Sequence, residues 1–152
     1  MYFLGDKEIL NNYKIGFLCS RRVPAHIILP TYDWAIEQRE KGVCVVSGFH
    51  SKIEKDVFHY LSKGTQPIIL VLARGMYKRV PREFKPLLEE KRLLIVSPFE
   101  EKITRVTQET AFIRNKTIIK LSDELKIPYV AKGGMLEKLI DVEFPQKCSE
   151  IS

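Results

Sequence analysis

Residues 67–72 read Pro67-Ile68-Ile69-Leu70-Val71-Leu72, an uninterrupted apolar run rich in β-branched side chains. A strand with one wet face alternates apolar and polar positions. This run does not, so it reads as a strand covered on both faces, the situation found in parallel sheets. Upstream, Val43-Cys44-Val45-Val46 is a second such run, stopping at Ser47-Gly48. Downstream, Leu93-Leu94-Ile95-Val96 is another, stopping at Ser97-Pro98. Tyr13-Lys14-Ile15-Gly16-Phe17-Leu18 reads as the first strand and Ile127-Pro128-Tyr129-Val130-Ala131 as the fifth. Pro128 has no N–H to give a ladder, which puts it at a strand start or a sheet edge.

Amphipathic segments separate these runs. Residues 34–41 look helical and exit through Gly42, with Pro30 marking either a start near Thr31 or a kinked earlier turn. Ile53, Val57, Tyr60 and Leu61 share one helical face that ends at Gly64. Further helices are expected over 83–91, over 107–121 and, after Gly133-Gly134, over 135–140. Strands joined by helices give repeated right-handed βαβ units. The expectation is one α/β domain over residues 1–144 with a mostly parallel sheet of at least five strands. Residues 145–152 lack periodicity and read as a flexible tail.

A chain of 152 residues suits one domain. With 45% apolar and 29% charged residues, and only 8 Gly and 8 Pro, its composition excludes disordered and collagen-like classes. No run nears the roughly 18 apolar residues that span a bilayer, so no membrane association is expected. The opening Met1-Tyr2-Phe3-Leu4-Gly5-Asp6 lacks a basic lead into a long apolar run, so no secretory signal is read. Cys19, Cys44 and Cys148 are widely spaced; the first two sit beside apolar runs and read as buried thiols. The cytoplasm follows as the expected compartment. The formal charge of +6 favours polyanionic partners, which it attracts at long range.

Ligands of open parallel sheets bind beyond the carboxyl ends of the strands, where helix N-termini expose unpaired N–H groups. The first exit, Cys19-Ser20-Arg21-Arg22, offers a hydroxyl and two guanidiniums for a phosphate. The second, Ser47-Gly48-Phe49-His50-Ser51-Lys52, offers backbone N–H groups and the Ser47 hydroxyl as an anion cradle. His50 there reads as a surface histidine, with donation to the anion as the alternative. The third, Ala73-Arg74-Gly75-Met76-Tyr77-Lys78-Arg79, with Arg82 and Lys85 beyond, interleaves cations with Tyr77, a candidate for base stacking. The fourth exit, Ser97-Pro98-Phe99-Glu100-Glu101, is acidic. Arg114-Asn115-Lys116 adds three groups able to reach phosphate or base edges from a helix.

Catalytic signatures are thin. Neither G-x-G-x-x-G nor G-x-x-x-x-G-K-[ST] occurs, nor G-x-S-x-G or H-E-x-x-H. Histidines and cysteines do not cluster at metal spacing. No catalytic residue, cofactor or metal is assigned, and Asp123 and Glu124 read as a helix end.

In order and spacing, these pieces resemble the DNA-processing protein A family, also called Smf. Its members follow the first strand with Gly-Ser-Arg, answered by Cys19-Ser20-Arg21. Their Ser-Gly-x-Ala-x-Gly-Ile-Asp is matched by Ser47, Gly48 and Ile53, with His50, Lys52 and Glu54 in place of Ala, Gly and Asp. A glycine-rich turn followed by Tyr-Pro corresponds to Gly75 and Val80-Pro81. The family's Arg-Asn-Arg-Ile-Ile-Ala-Gly-Leu-Ser is similar to Arg114-Asn115-Lys116-Thr117-Ile118-Ile119-Lys120-Leu121-Ser122. The resemblance runs over residues 13–131.

The resemblance implies a Rossmann-like three-layer sandwich, single-stranded DNA binding in DNA processing or recombination, and a homodimer. It places Arg21, Ser47, Gly48, Arg114, Asn115 and Lys116 near DNA phosphates. Lys52, where the family has glycine, either blocks the pocket or adds a cation. The full set of expected phosphate or nucleic-acid contacts is Ser20, Arg21, Arg22, Ser47, Gly48, Lys52, Arg74, Arg114, Asn115 and Lys116. With little room for the extra domains of many members, recombinase loading is not carried over.

Two alternatives stand beside this reading. Related Rossmann-type N-glycosidases of nucleoside monophosphates carry Pro-Gly-Gly-x-Gly-Thr-x-x-Glu, of which Lys132-Gly133-Gly134-Met135-Leu136-Glu137 keeps the glycine pair. A nucleotide in the same pocket would then need Glu54 or Glu137 as its carboxylate. The other alternative is a degenerate nucleotide sensor.

Overall fold

The computed structural model describes residues 1–143 and 148–150. Its sheet has seven strands: β1 Tyr2–Gly5, β2 Lys14–Phe17, β3 Cys44–Ser47, β4 Ile68–Val71, β5 Leu93–Ser97, β6 Glu124–Ile127 and β7 Cys148–Glu150. Their order across the sheet is β1-β5-β4-β3-β2-β6-β7. Only β1 is antiparallel to its neighbour. The helices are α1 Ala25–Lys41, α2 Lys52–Ser62, α3 Lys85–Glu89, α4 Gln108–Leu121 and α5 Met135–Glu143.

The core explains the apolar runs. Ile15, Phe17, Val45, Ile68, Leu70, Leu93 and Ile95 pack with Trp34, Ala35, Ile53, Val57, Leu61 and Leu87 of α1, α2 and α3. The alternate residues Cys44, Val46, Ile69, Val71, Leu94 and Val96 pack with Ile118, Ile119, Leu136 and Leu139 of α4 and α5. Both faces are thus dry, as the unalternating runs require, and the result is a three-layer sandwich. The chain steps outward from β2 to β5, then α4 carries it back to β6 on the other side of β2. That reversal beside β2 makes the carboxyl ends of β2, β3 and β6 the place for a ligand.

Several expectations shift. β1 was not foreseen; it is four residues long, with its end residues exposed, and pairs only with β5. Its last residue, Gly5, has φ +112°, and a Cβ there would lie 2.3 Å from the Leu93 carbonyl oxygen. The strand expected over 127–131 is instead Glu124–Ile127, with Pro128 just past its end. Its half-polar alternation is not a buried run, and its register is pinned by polar contacts. Asp123 Oδ2 accepts the Lys14 N–H at 2.8 Å, and the Tyr13 hydroxyl donates to Glu124 at 2.9 Å. Asp123 and Glu124 therefore lead into a strand rather than end a helix.

Helix α1 begins at Ala25, well before Thr31, and contains Pro30. Pro30 removes one ladder N–H, while the Thr31 hydroxyl donates to the Ile27 carbonyl at 2.8 Å. Gly42 closes this helix in the left-handed conformation, φ +73°. The helix expected over 83–91 is a 3₁₀ turn, Arg82–Phe84, and the five-residue α3. Pro86 withholds the N–H that a continuous helix would need. Of the tail, Cys148–Glu150 pairs in parallel with β6; residues 145–147 and 151–152 lie outside the described residues.

Candidate nucleic-acid interface

β2, β3 and β4 are adjacent and parallel, so their exits line one rim. At the first exit, the Ser20 N–H donates to the Tyr129 carbonyl at 3.1 Å, and Ser20 Oγ accepts the Ala131 N–H at 2.7 Å. Ser20 thereby clasps the β2 exit to the β6 exit, leaving its hydroxyl oxygen with a structural task. Arg21 and Arg22 stand exposed beyond it. Neither forms an ion pair among the described residues.

The second exit departs from the expected open cradle. Ser47 is fully buried, and its Oγ accepts the Phe49 N–H at 3.3 Å. Glu54 is also buried, and its Oε1 accepts the N–H groups of His50 at 2.8 Å and Ser51 at 3.2 Å. Ser51 Oγ accepts the Glu54 N–H in return, completing a capping box at the start of α2. The N–H groups of residues 49–51 are therefore bonded within the chain. Ser51-Lys52-Ile53-Glu54 is the S-x-x-E signal that marks this arrangement in the sequence. Lys52 does not fill the loop; its exposed ammonium lies 2.9 Å from Asp56 Oδ1. Asp56 also accepts the Tyr32 hydroxyl.

Arg114 is the residue the fold brings in. It projects from α4 onto the β3 exit and is only 8% exposed. Its Cδ, Nε and Nη1 occupy the space where a Cβ on Gly48 would stand, at 2.7, 2.8 and 2.9 Å. The absent side chain of Gly48 is what admits the guanidinium. Arg114 Nε donates to Asn115 Oδ1 at 3.2 Å, so Asn115 holds the head group. Burial lowers the Arg114 pKa, and the Glu54 carboxylate acts in the opposite direction. Lys116, next on the helix, lies 5.9 Å from the Phe112 ring centroid.

His50 reports how these groups are disposed. Burial lowers its pKa, followed by the positive charge of Arg114, with Lys55 and Arg21 adding to the effect and Glu54 opposing it. Arg21, Lys55 and Arg114 therefore act on one imidazole. Cations of the first exit, of α2 and of α4 thus stand around one histidine, with the Glu54 carboxylate opposing them. His50, Lys55 and Glu54 belong to this neighbourhood, although the sequence reading gave none of them a leading place.

The third exit is packed more tightly than an open stacking platform. Arg74 Nε donates to the Gly75 carbonyl at 3.1 Å, and its guanidinium lies 5.0 Å from the Tyr77 ring centroid. Tyr77 also packs 6.3 Å from the Phe84 ring. A base stacking on the face that Arg74 covers would displace the guanidinium. Gly75 N–H donates to the Ile103 carbonyl at 2.6 Å, and Ser97 Oγ donates to the Arg74 carbonyl at 2.6 Å. The β4 and β5 exits are thus tied together.

The two carboxylates considered for an enzyme are both engaged. Glu54 caps α2, and Glu137 Oε1 accepts the Gly133 N–H at 3.1 Å. Cys19 and Cys44 are buried thiols, both pushed up to about 12, mainly by burial. Among the described residues no group of three His, Cys, Asp or Glu side chains can hold a metal. No described helix is long and apolar enough to cross a membrane.

A parallel sheet with helices on both faces, reversing beside β2 under a cation-lined rim, defines a Rossmann-like α/β module. The chain belongs to the DNA recombination-mediator protein A family, which it matches over residues 1–136. Among solved structures, it is similar to DNA processing protein A from Helicobacter pylori, a structure described for its single-stranded DNA binding mode. That match has a TM-score of 0.71 and 22% identity, and covers 89% of this chain and 62% of the other. DNA processing protein A from Streptococcus pneumoniae matches with a TM-score of 0.71 and 16% identity, over 91% of this chain and 50% of that one. The Moco carrier protein of Chlamydomonas reinhardtii shares the fold more distantly, with a TM-score of 0.50 and 6% identity over 93% and 90% of the two chains. The chain spans less than two thirds of either DNA processing protein. No curated protein matches it.

Proposed function

We propose that this protein binds single-stranded nucleic acid, with DNA favoured, through phosphate contacts along the rim, in DNA processing or recombination. The observation that carries the proposal is Arg114 seated on Gly48, with Arg21 acting on the same histidine. A buried guanidinium held by Asn115 is preorganised, and a charge-assisted bond from it to phosphate is about twice as strong as a neutral one. Arg21 and Arg22 supply exposed cations at the mouth, and His50 donates beside them. Lys116 and Arg74 extend the positive field. Ser20, Ser47, Gly48 and Asn115 shape the rim and hold its charged groups. The Helicobacter relative's single-stranded DNA binding supports the choice of ligand.

In this reading the protein acts as a cytoplasmic homodimer of a single domain, and sedimentation at working concentration tests the dimer. The central experiment is a salt titration of binding to labelled single-stranded DNA, with duplex DNA and mononucleotides as competitors. Affinity should fall linearly on a log–log plot, and Arg21→Glu or Arg114→Glu should weaken binding across sequences and reduce the slope. Salt-independent binding, or no binding at low salt, refutes the proposal.

A further inference from the structure

Residues 74–85 hold five of the chain's 25 Lys and Arg residues, against a single carboxylate, Glu83. The segment is anchored by its apolar members: Met76, Tyr77 and Val80 pack against the core, and Phe84 lies within it. Anchoring those positions leaves Lys78, Arg79, Arg82 and Lys85 exposed. Some cations elsewhere have a carboxylate beside them: Lys41 has Glu37, Lys52 has Asp56, Lys102 has Glu100, and Arg39 has Glu40. These four form no ion pair among the described residues. Unneutralised like charges held together on a packed segment repel one another, and a polyanion relieves that repulsion.

These four cations make a basic ridge on the edge of the molecule that carries the rim. The segment follows β4, whose exit lies on the same edge as those of β3 and β2. Neighbouring strands are about 4.8 Å apart, so the β4 exit stands about 10 Å from the β2 exit. We infer that Lys78, Arg79, Arg82 and Lys85 form a second phosphate-binding stretch, which takes the continuation of a single strand already held at the rim. This rests on the proposed single-strand binding and adds a length requirement to it. The rim grips a short segment, and the ridge engages only strands long enough to run past β3.

The test uses labelled oligothymidylates of about 4 to 16 nucleotides, a range that single-strand-binding folds occupy. The protein and its quadruple variant Lys78→Ala, Arg79→Ala, Arg82→Ala, Lys85→Ala are compared, with circular dichroism melts confirming the fold. The native protein should gain affinity with length. The variant should match it on the shortest strand that binds and gain little thereafter. Its salt slope on the longest strand should be lower by about 2 to 3, at about 0.7 per phosphate contact. Should the quadruple variant fail to fold, Lys78→Ala and Arg79→Ala, each at an exposed position, should each lower the slope by about 0.7. Unchanged affinity and slope on long strands overturn the second stretch while leaving the rim reading intact. Equal loss on short and long strands also overturns it, because the ridge would then be part of the primary grip. A native protein that binds no strand at any salt defeats both.

Discussion

Gly48→Ala should damage binding through a residue 66 positions away. Gly48 does not use a left-handed backbone, so alanine brings no conformational strain of its own. Its Cβ would lie 2.7 Å from Arg114 Cδ and 2.8 Å from Nε. Carbon atoms settle at about 3.5–4.0 Å, so the guanidinium must retreat by about 1 Å. Overpacking costs about 1–3 kcal/mol, and the flexible arginine places this case near about 1 kcal/mol. A hydrogen bond to a charged group is worth about 1.5–3 kcal/mol. Losing much of it weakens binding about tenfold, with a salt slope lower by about 0.7. Urea melts and fluorescence titrations of Gly48→Ala, Arg114→Ala and the double variant read both quantities. If the mechanism holds, the alanine at 48 costs little once residue 114 is also alanine, because contacting residues couple by about 0.5–3 kcal/mol. An equal cost in both backgrounds refutes the mechanism.

Other outcomes follow from the same geometry. Glu54→Gln keeps an oxygen for the His50 and Ser51 N–H groups but removes the charge opposing Arg114, so single-strand affinity should rise; a fall in the same titration counts against the rim field. Glu54→Ala empties the capping box and should lower stability by about 0.5–2 kcal/mol, read by urea melts. The folded pKa of His50 lies below its ordinary 6.5. Its contribution to stability is therefore fully present above about pH 6.5 and is lost as pH falls through the folded value. A bound phosphate favours the protonated imidazole, so affinity should rise and binding should take up protons as pH drops below about 6.5; His50→Ala should flatten that profile. Gly5→Ala must collide with the Leu93 carbonyl and should detach β1, seen as faster amide exchange at residues 2–5.

Much of the sheet was legible because β3, β4 and β5 bury both faces, and burial on both faces leaves a run of apolar letters. β6 was misplaced because Glu124 and Lys126 are only half-buried, so the run of apolar letters begins too late. β1 offered four residues and one partner, too little pattern to separate from a loop. The exits were legible once the strands were, which is why Arg21 and the Ser47-Gly48 turn stood out. The seat of Arg114 was not, since no local pattern records that residue 48 lacks a side chain for residue 114 to fill. The closure of the α2 N-terminus by Glu54 was readable, because Ser51 and Glu54 stand at capping-box spacing.

The return crossing of α4 also dates the site within the life of a nascent chain. β1 to β5 leave the ribosome first, exposing Arg21 and His50 while the notch above Gly48 is still vacant. The guanidinium that fills it arrives only when the last third of the polypeptide docks beneath the finished strands. A product stalled before residue 114 would thus carry Arg21 and His50 at its rim without the guanidinium that closes over Gly48.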